Sequence, residues 1–133
     1  MPDREDCDGK VSYFSRTFAT RLPERYSKFK FITDEAEKFI KSCEDEKFVL
    51  YVNFLEPHPP YYSVYDEMYD PDEIDLPPCF NCELGDDKPL KYRLNKIRTE
   101  NIGRHFPMKD EKTWMRLIAR YWGMVSLVDK YVG

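Results

Sequence analysis

The 133-residue chain has no surplus of basic charge: 21 Lys and Arg stand against 25 Asp and Glu, a net charge of −4. Nucleic-acid binding calls for a basic stripe or a high pI, so the composition argues against that class. Long apolar runs are missing too. The longest, residues 48–55 (FVLYVNFL), already contains Asn53 and falls far short of the roughly 18 residues of a membrane span. The opening MPDREDCDGK is acidic and polar, the reverse of a secretory leader with its basic start and apolar heart. No repeat recurs at solenoid or propeller spacing. The four cysteines, Cys7, Cys43, Cys79 and Cys82, are spaced irregularly. They match no disulfide miniprotein and leave the redox compartment open.

What is present is enough for a core. Hydrophobic residues make up 41% of the chain and aromatics 16%, with ten tyrosines, a composition that argues against wholesale disorder. The length is that of one domain. Thr33 followed by Asp34 and Glu35 predicts a helix start, with a hydroxyl cap and acidic residues at the positive end of the helix dipole. Ala36, Phe39, Ile40 and Cys43 then recur at i, i+3, i+4 and i+7, one helical face. Residues 48–55 are apolar almost without a break, β-branched and aromatic. A strand facing water on one side would alternate, so this run predicts a strand covered on both faces, as in the parallel sheet of an α/β fold.

Glu56-Pro-His-Pro-Pro60 ends that strand, because proline cannot extend a ladder. From there to about residue 110 the chain reads as a long irregular loop, a length that is uncommon without a functional reason. Asp110 is a plausible N-cap for a last helix. Trp114, Leu117, Ile118, Tyr121, Val125, Val128 and Val132 trace its apolar stripe, and Arg116, Arg120 and Lys130 lie largely off it. The helix still runs at Gly133, which suggests a boundary cut through a longer fold.

His58 is the residue with the clearest chemical promise. It stands three residues past Leu55, where loops leave the carboxyl ends of strands and ligands bind in open α/β sheets. Pro57, Pro59 and Pro60 fix the turn around it. An imidazole titrates near neutrality and suits general acid or base work. The plain alternative is a histidine packed against neighbouring tyrosines.

The run FVLYVNFLEPHPPYYSVYDEMYDPDEIDLPP resembles the middle of the sulfatase family of the alkaline-phosphatase-like superfamily, where an apolar strand ends in a Pro-His-x-Pro turn before a Tyr-rich stretch and an Asp-rich turn. RLIARYWGMVSLVDKYVG resembles that family's Tyr-x-x-x-Val-x-x-Val-Asp-x-x-Val-Gly helix. The likeness covers residues 31–133. It implies that residues 1–133 are one incomplete segment of a sulfatase-like α/β sandwich with a central, mostly parallel sheet, a long irregular loop and a C-terminal amphipathic helix. It implies a substrate-contacting role for His58, protonating the leaving oxygen of a sulfate ester. Tyr61, Tyr62 and Tyr65 follow His58 directly, a place from which they either line a substrate rim or pack under the long loop.

The family's nucleophile, a formylglycine made from Cys in Cys-x-Pro/Ser-x-Arg, has no match at any of the four cysteines. The family's calcium ligands belong to other segments. Calcium and formylglycine are therefore expected in the complete enzyme, and no metal ligand or cofactor within this segment. The expected partners are a sulfate or phosphonate ester and the remainder of the parent protein, and the segment alone is expected to be inactive. Phosphonate monoester and phosphodiester hydrolases of the same superfamily share much of the pattern and remain the close rival, ahead of a non-catalytic binding module.

Three weaker signals have ordinary explanations beside them. Cys79-Phe-Asn-Cys82 is a single CxxC, where two pairs would argue for zinc. Asp70, Asp72, Glu73 and Asp75 form an acidic turn without the spacing of an EF-hand. Lys88, Lys91, Arg93, Lys96, Arg98 and Arg104 form a basic stretch that could attract an anionic substrate or simply face solvent.

Overall fold

The computed structural model describes residues 13–14, 23–43, 45–101 and 108–133, and the regular structure among them is helical. Three α-helices, α1 (Lys28–Ser42), α2 (Leu90–Asn101) and α3 (Glu111–Val132), are accompanied by two single 3-10 turns, Glu24–Tyr26 before α1 and Pro71–Glu73 between α1 and α2. Among the described residues there is no strand and no sheet. The expected α/β sandwich with a central parallel sheet is therefore overturned.

The physical reason lies in residues 48–55. One apolar stretch cannot make a ladder without a second strand, and no other described segment pairs with it. Its side chains also part company by position. Leu50 and Phe54 are half-buried, and Phe48 meets Phe39 of α1 edge-on at 5.5 Å between ring centroids. Val49, Tyr51 and Leu55 are 98%, 85% and 68% exposed. One side packs on helix; the other is open. An apolar run reads as doubly covered only if the cover exists.

Helix α1 begins five residues before the expected Thr33. Ser27 sits in the extended region at φ −69°, ψ 155°, and its Oγ accepts the Lys30 N–H at 3.2 Å, an N-cap. Thr33 is thus interior, and its Oγ1 donates to the Tyr131 carbonyl of α3 at 3.0 Å. The buried anchor of α1 is Phe29. Its ring stacks on Phe54 at 5.5 Å and on Tyr131 at 5.8 Å. Three separate parts of the chain meet there, and aromatic contacts of this kind add to the gain from area alone. The expected face of Ala36, Phe39, Ile40 and Cys43 is only partly covered, with Phe39 and Ile40 exposed.

Helix α3 starts where the sequence indicates. Asp110 Oδ1 accepts the Thr113 N–H at 2.9 Å, and its Oδ2 accepts the Thr113 hydroxyl at 2.8 Å. Those donors hold the Asp110 carboxyl below the usual carboxylate range. The buried seam is displaced from the expected stripe. It runs through Ala119, Arg120, Gly123, Met124 and Leu127, while Tyr121, Val125 and Val132 are exposed. The cause is a close approach of backbone. A Cβ on Gly123 would sit 2.4 Å from the Tyr65 carbonyl oxygen, so glycine lets residues 61–66 cross the helix there.

That crossing segment is pinned by polar groups. The Ser63 N–H donates to Asp66 Oδ1 at 2.7 Å, and the Tyr65 N–H donates to Ser63 Oγ at 3.0 Å. Asp66 forms an ion pair with Arg120 at 3.7 Å, their side chains 7% and 6% exposed. Arg120, expected off the packing face, is at its centre. Farther along, the Tyr69 hydroxyl is 2.8 Å from Ser126 Oγ, and its ring meets Trp122 edge-on. Asp70 caps the second 3-10 turn by accepting the Asp72 N–H at 2.9 Å, and Ile74 beyond it is buried. The acidic turn is thus explained by local capping.

Helix α2 falls inside the stretch expected to be irregular, a second correction. Pro89 precedes it, and Leu90, Leu94 and Ile97 recur at i, i+4 and i+7, a helical signal that the surrounding charge obscures. None of its residues is buried. Arg93 pairs with Asp86 at 2.8 Å, Lys96 with Glu100 at 3.9 Å and Lys88 with Asp87 at 3.0 Å. Half of the six-residue basic stretch therefore has acidic partners; Arg104 lies outside the described residues.

Candidate functional site

The residues singled out for chemistry sit on the turn between residues 48–55 and the segment that crosses α3. The His58 N–H donates to the Leu55 carbonyl at 3.2 Å, closing the turn, and the Glu56–Pro57 and Pro59–Pro60 peptide bonds are cis. The His58 ring is exposed. Its Nδ1–H donates to the Pro59 carbonyl at 2.7 Å. This fixes one ring nitrogen to backbone and leaves Nε2 to meet a solute, the arrangement by which a second hydrogen bond sets an imidazole's tautomer.

Tyr61 and Tyr62 follow different courses. The Tyr61 N–H donates to the Tyr13 carbonyl at 2.7 Å, and its ring stacks on Tyr13 at 5.9 Å and meets Tyr121 of α3 at 6.0 Å. It is held in an aromatic cluster. Tyr62 is half-buried and lines a cleft with Glu56, Ser63 and residues at the start of α1. The turn thus carries His58 outward, Tyr61 into packing, and Tyr62 into the cleft.

Beside this cleft, Glu24 accepts from Lys130 Nζ at 2.6 Å and from the Tyr131 hydroxyl at 2.9 Å. The hydrogen bond from Lys130, then that from Tyr131, holds the Glu24 carboxyl below its usual range. The same contact raises the Lys130 ammonium above its own. Burial, then the bond to Glu24, pushes the Tyr131 hydroxyl upward. Glu56, missed in the sequence, is the other acid here. The signal available was its place: a charge directly between an apolar run and a proline.

Among the described residues, no three His, Cys, Asp or Glu side chains converge where they could hold a metal ion. Calcium therefore does not fit a site built from the described residues alone. Cys43 is half-buried, and Cys79 and Cys82 are exposed, all three free thiols. None has the Pro/Ser-x-Arg context of a formylglycine precursor, and Cys7 lies outside the described residues. The Cys82 N–H donates to the Cys79 carbonyl at 3.1 Å, a tight turn. It stands at the edge of a cleft of about 640 Å³ between α2 and α3, with Tyr92, Trp114 and Leu117 on its walls.

No family model matches the chain, and no solved structure matches it. It is similar to the multifunctional alkaline phosphatase superfamily protein PehA of Trinickia caryophylli, 26% identical over 125 residues. The match covers 86% of this chain and 24% of that relative, so the chain spans about a quarter of the relative's length. This similarity supports kinship with the alkaline phosphatase superfamily and nothing finer. No helix among the described residues is long and apolar enough to cross a membrane.

Proposed function

We propose that the chain is a segment of a sulfatase-like hydrolase in which His58 protonates the departing oxygen of an anionic ester. The single observation that carries this reading is the state of the His58 ring. It is exposed on a proline-flanked turn, with Nδ1 committed to the Pro59 carbonyl and Nε2 available. When an ester bond to sulfur or phosphorus breaks, the leaving oxygen gains negative charge, and an imidazolium N–H at that oxygen can neutralise it. Such proton transfer contributes roughly 10²–10⁴ in rate. Tyr62, on the wall of the neighbouring cleft, is assigned to substrate contact; Tyr61 supports the turn through its ring contacts with Tyr13 and Tyr121.

Nucleophile and metal belong, on this reading, to the rest of the parent protein, and the isolated segment is inactive. A second substrate class stands alongside sulfate esters on this reading, the phosphonate monoesters and phosphodiesters; the description of the relative as multifunctional supports more than one substrate class and names none.

The test compares His58→Ala with the parent enzyme on aryl sulfates and aryl phosphonates whose leaving groups differ in basicity. A general acid matters most where the departing oxygen is most basic. The loss should therefore approach about 10³-fold for a poor leaving group and shrink toward unity for 4-nitrophenol. An equal loss across the series would remove the proton-donor role. The relative rates on sulfate and phosphonate identify the preferred ester.

A further inference from the structure

Cys79 and Cys82 stand at the two ends of one tight turn. The Cys82 N–H donates to the Cys79 carbonyl at 3.1 Å, which closes four residues into a single bend. The Cα atoms at the ends of such a bend lie within roughly 7 Å, and a disulfide spans about 4.4–6.8 Å between Cα atoms. Both thiols are free and exposed, so a solute reaches either of them. Cys43, at the end of α1, is half-buried.

The two residues between the cysteines hold the bend in place. Phe80 is half-buried, and its ring meets Trp114 of α3 at 6.0 Å between centroids, nearly perpendicular. Trp114 is itself fixed, its indole N–H donating to the Met108 carbonyl at 3.1 Å. Asn81 donates through Nδ2 to Glu111 Oε1, also on α3, at 3.0 Å. The Phe80 N–H donates to the Pro77 carbonyl at 2.8 Å, a second bend running into the first. The middle of the turn is thus clamped to a long helix, and its two ends carry the sulfurs. A fixed bend pays in advance the entropy of bringing two thiols together, which raises their effective concentration toward each other.

We propose that Cys79 and Cys82 form a reversible dithiol–disulfide pair that exchanges with small-molecule disulfides at the mouth of the cleft between α2 and α3. One cysteine thiolate attacks a sulfur of the small disulfide, releases one small thiolate and leaves a mixed disulfide. The other cysteine thiolate then attacks the protein sulfur of that mixed disulfide. The Cys79–Cys82 bond forms and the second small thiolate departs. Two protein thiols give up two electrons and two protons, and two small-molecule thiols take them up. Both cysteines line the cleft of about 640 Å³, together with Phe80 and Trp114, so the bond locks one of its walls. None of this depends on ester chemistry.

The test places the chain carrying Cys7→Ser and Cys43→Ser, folded by circular dichroism, in glutathione buffers of rising oxidised fraction. Intact mass separates the outcomes, because an internal bond removes two hydrogens while a trapped adduct adds glutathione. The expected product is the internal bond, fully reversed by dithiothreitol. Its exchange equilibrium with glutathione should favour the bond by at least about tenfold more in the folded chain than in urea. Phe80→Ala with Asn81→Ala, which frees the bend from α3, should erase most of that difference. Glutathione adducts alone, no reaction, or the same equilibrium with and without urea overturns the proposal. An unchanged equilibrium in a folded Phe80→Ala, Asn81→Ala variant overturns the clamping role. If the serine variant fails to fold, peptide mapping of the oxidised unsubstituted chain decides instead. Bonds from Cys79 or Cys82 to Cys7 or Cys43 would then overturn the pairing.

Discussion

Residues 48–55 and residues 61–74 flank the His58 turn, and both lie outside any α-helix, yet they are held in opposite ways. The first is the most apolar stretch of the chain and is fixed on one side only. Phe54 stacks on Phe29, and Phe48 touches Phe39, while Val49, Tyr51 and Leu55 face solvent. The second is mixed in polarity and is tied down residue by residue. Ser63 and Asp66 bond within it, Asp66 pairs with Arg120, Tyr65 lies on Gly123, and Tyr69 reaches Ser126. Apolar character is non-directional and needs only something to cover it. Hydrogen bonds and close backbone contacts choose one partner and one geometry. Segment position here follows the second kind of force.

The strongest way to break this comparison is to remove the buried ion pair. Asp66→Ala leaves Arg120 without its carboxylate in a dry setting and should lower unfolding free energy by about 3–5 kcal/mol, read from urea denaturation. Replacing both members, Asp66→Leu with Arg120→Met, should recover much of that loss. A single variant of near wild-type stability would mean that the pair does not anchor the crossing segment.

A middle-sized effect separates the two sides of residues 48–55. Phe54→Ala deletes a ring stacked on the α1 anchor and should cost about 2–3 kcal/mol. Val49→Ser, on the open side, should stay within about 0.5 kcal/mol of wild type. Equal losses at the two positions would show that the outer side is covered after all.

The smallest effect concerns the α3 cap. Asp110→Ala should cost about 1 kcal/mol near neutral pH. The Thr113 donors depress the folded-state pKa of Asp110. Its contribution is therefore complete above the ordinary aspartate range and is lost as pH falls through the lowered value. Denaturation midpoints of the variant and wild type should converge in acid. A gap that persists to about pH 2 would assign the effect to something other than the carboxylate.

Local signals were the legible ones. Asp110 before Thr113 announced the α3 start because a cap is a contact between near neighbours. The period of α3 announced a helix, but not which face would be buried. That depended on Gly123 meeting the Tyr65 carbonyl, a contact between residues far apart in sequence. Ser27 was the true cap of α1, and Thr33, an equally good capping type, was drawn inward to bond Tyr131. Helix α2 was written in Leu90, Leu94 and Ile97, then masked by basic residues whose acidic partners are visible only in space.

At the His58 turn the division is the same. The prolines and the imidazole could be read directly, and a rigid exposed turn follows from their covalent chemistry. That Nδ1 would bond Pro59, that Tyr61 would join Tyr13 and Tyr121, and that Glu56 would be turned into a cleft beside Lys28 could not. The sequence by itself determined helix α3, its Asp110 cap and the composition of the turn, because those rest on interactions within a few residues. Tertiary structure alone decided which faces are buried, which charges pair and whether an apolar run becomes a strand. Each of those outcomes needs a partner from elsewhere, and no local pattern specifies whether that partner is present.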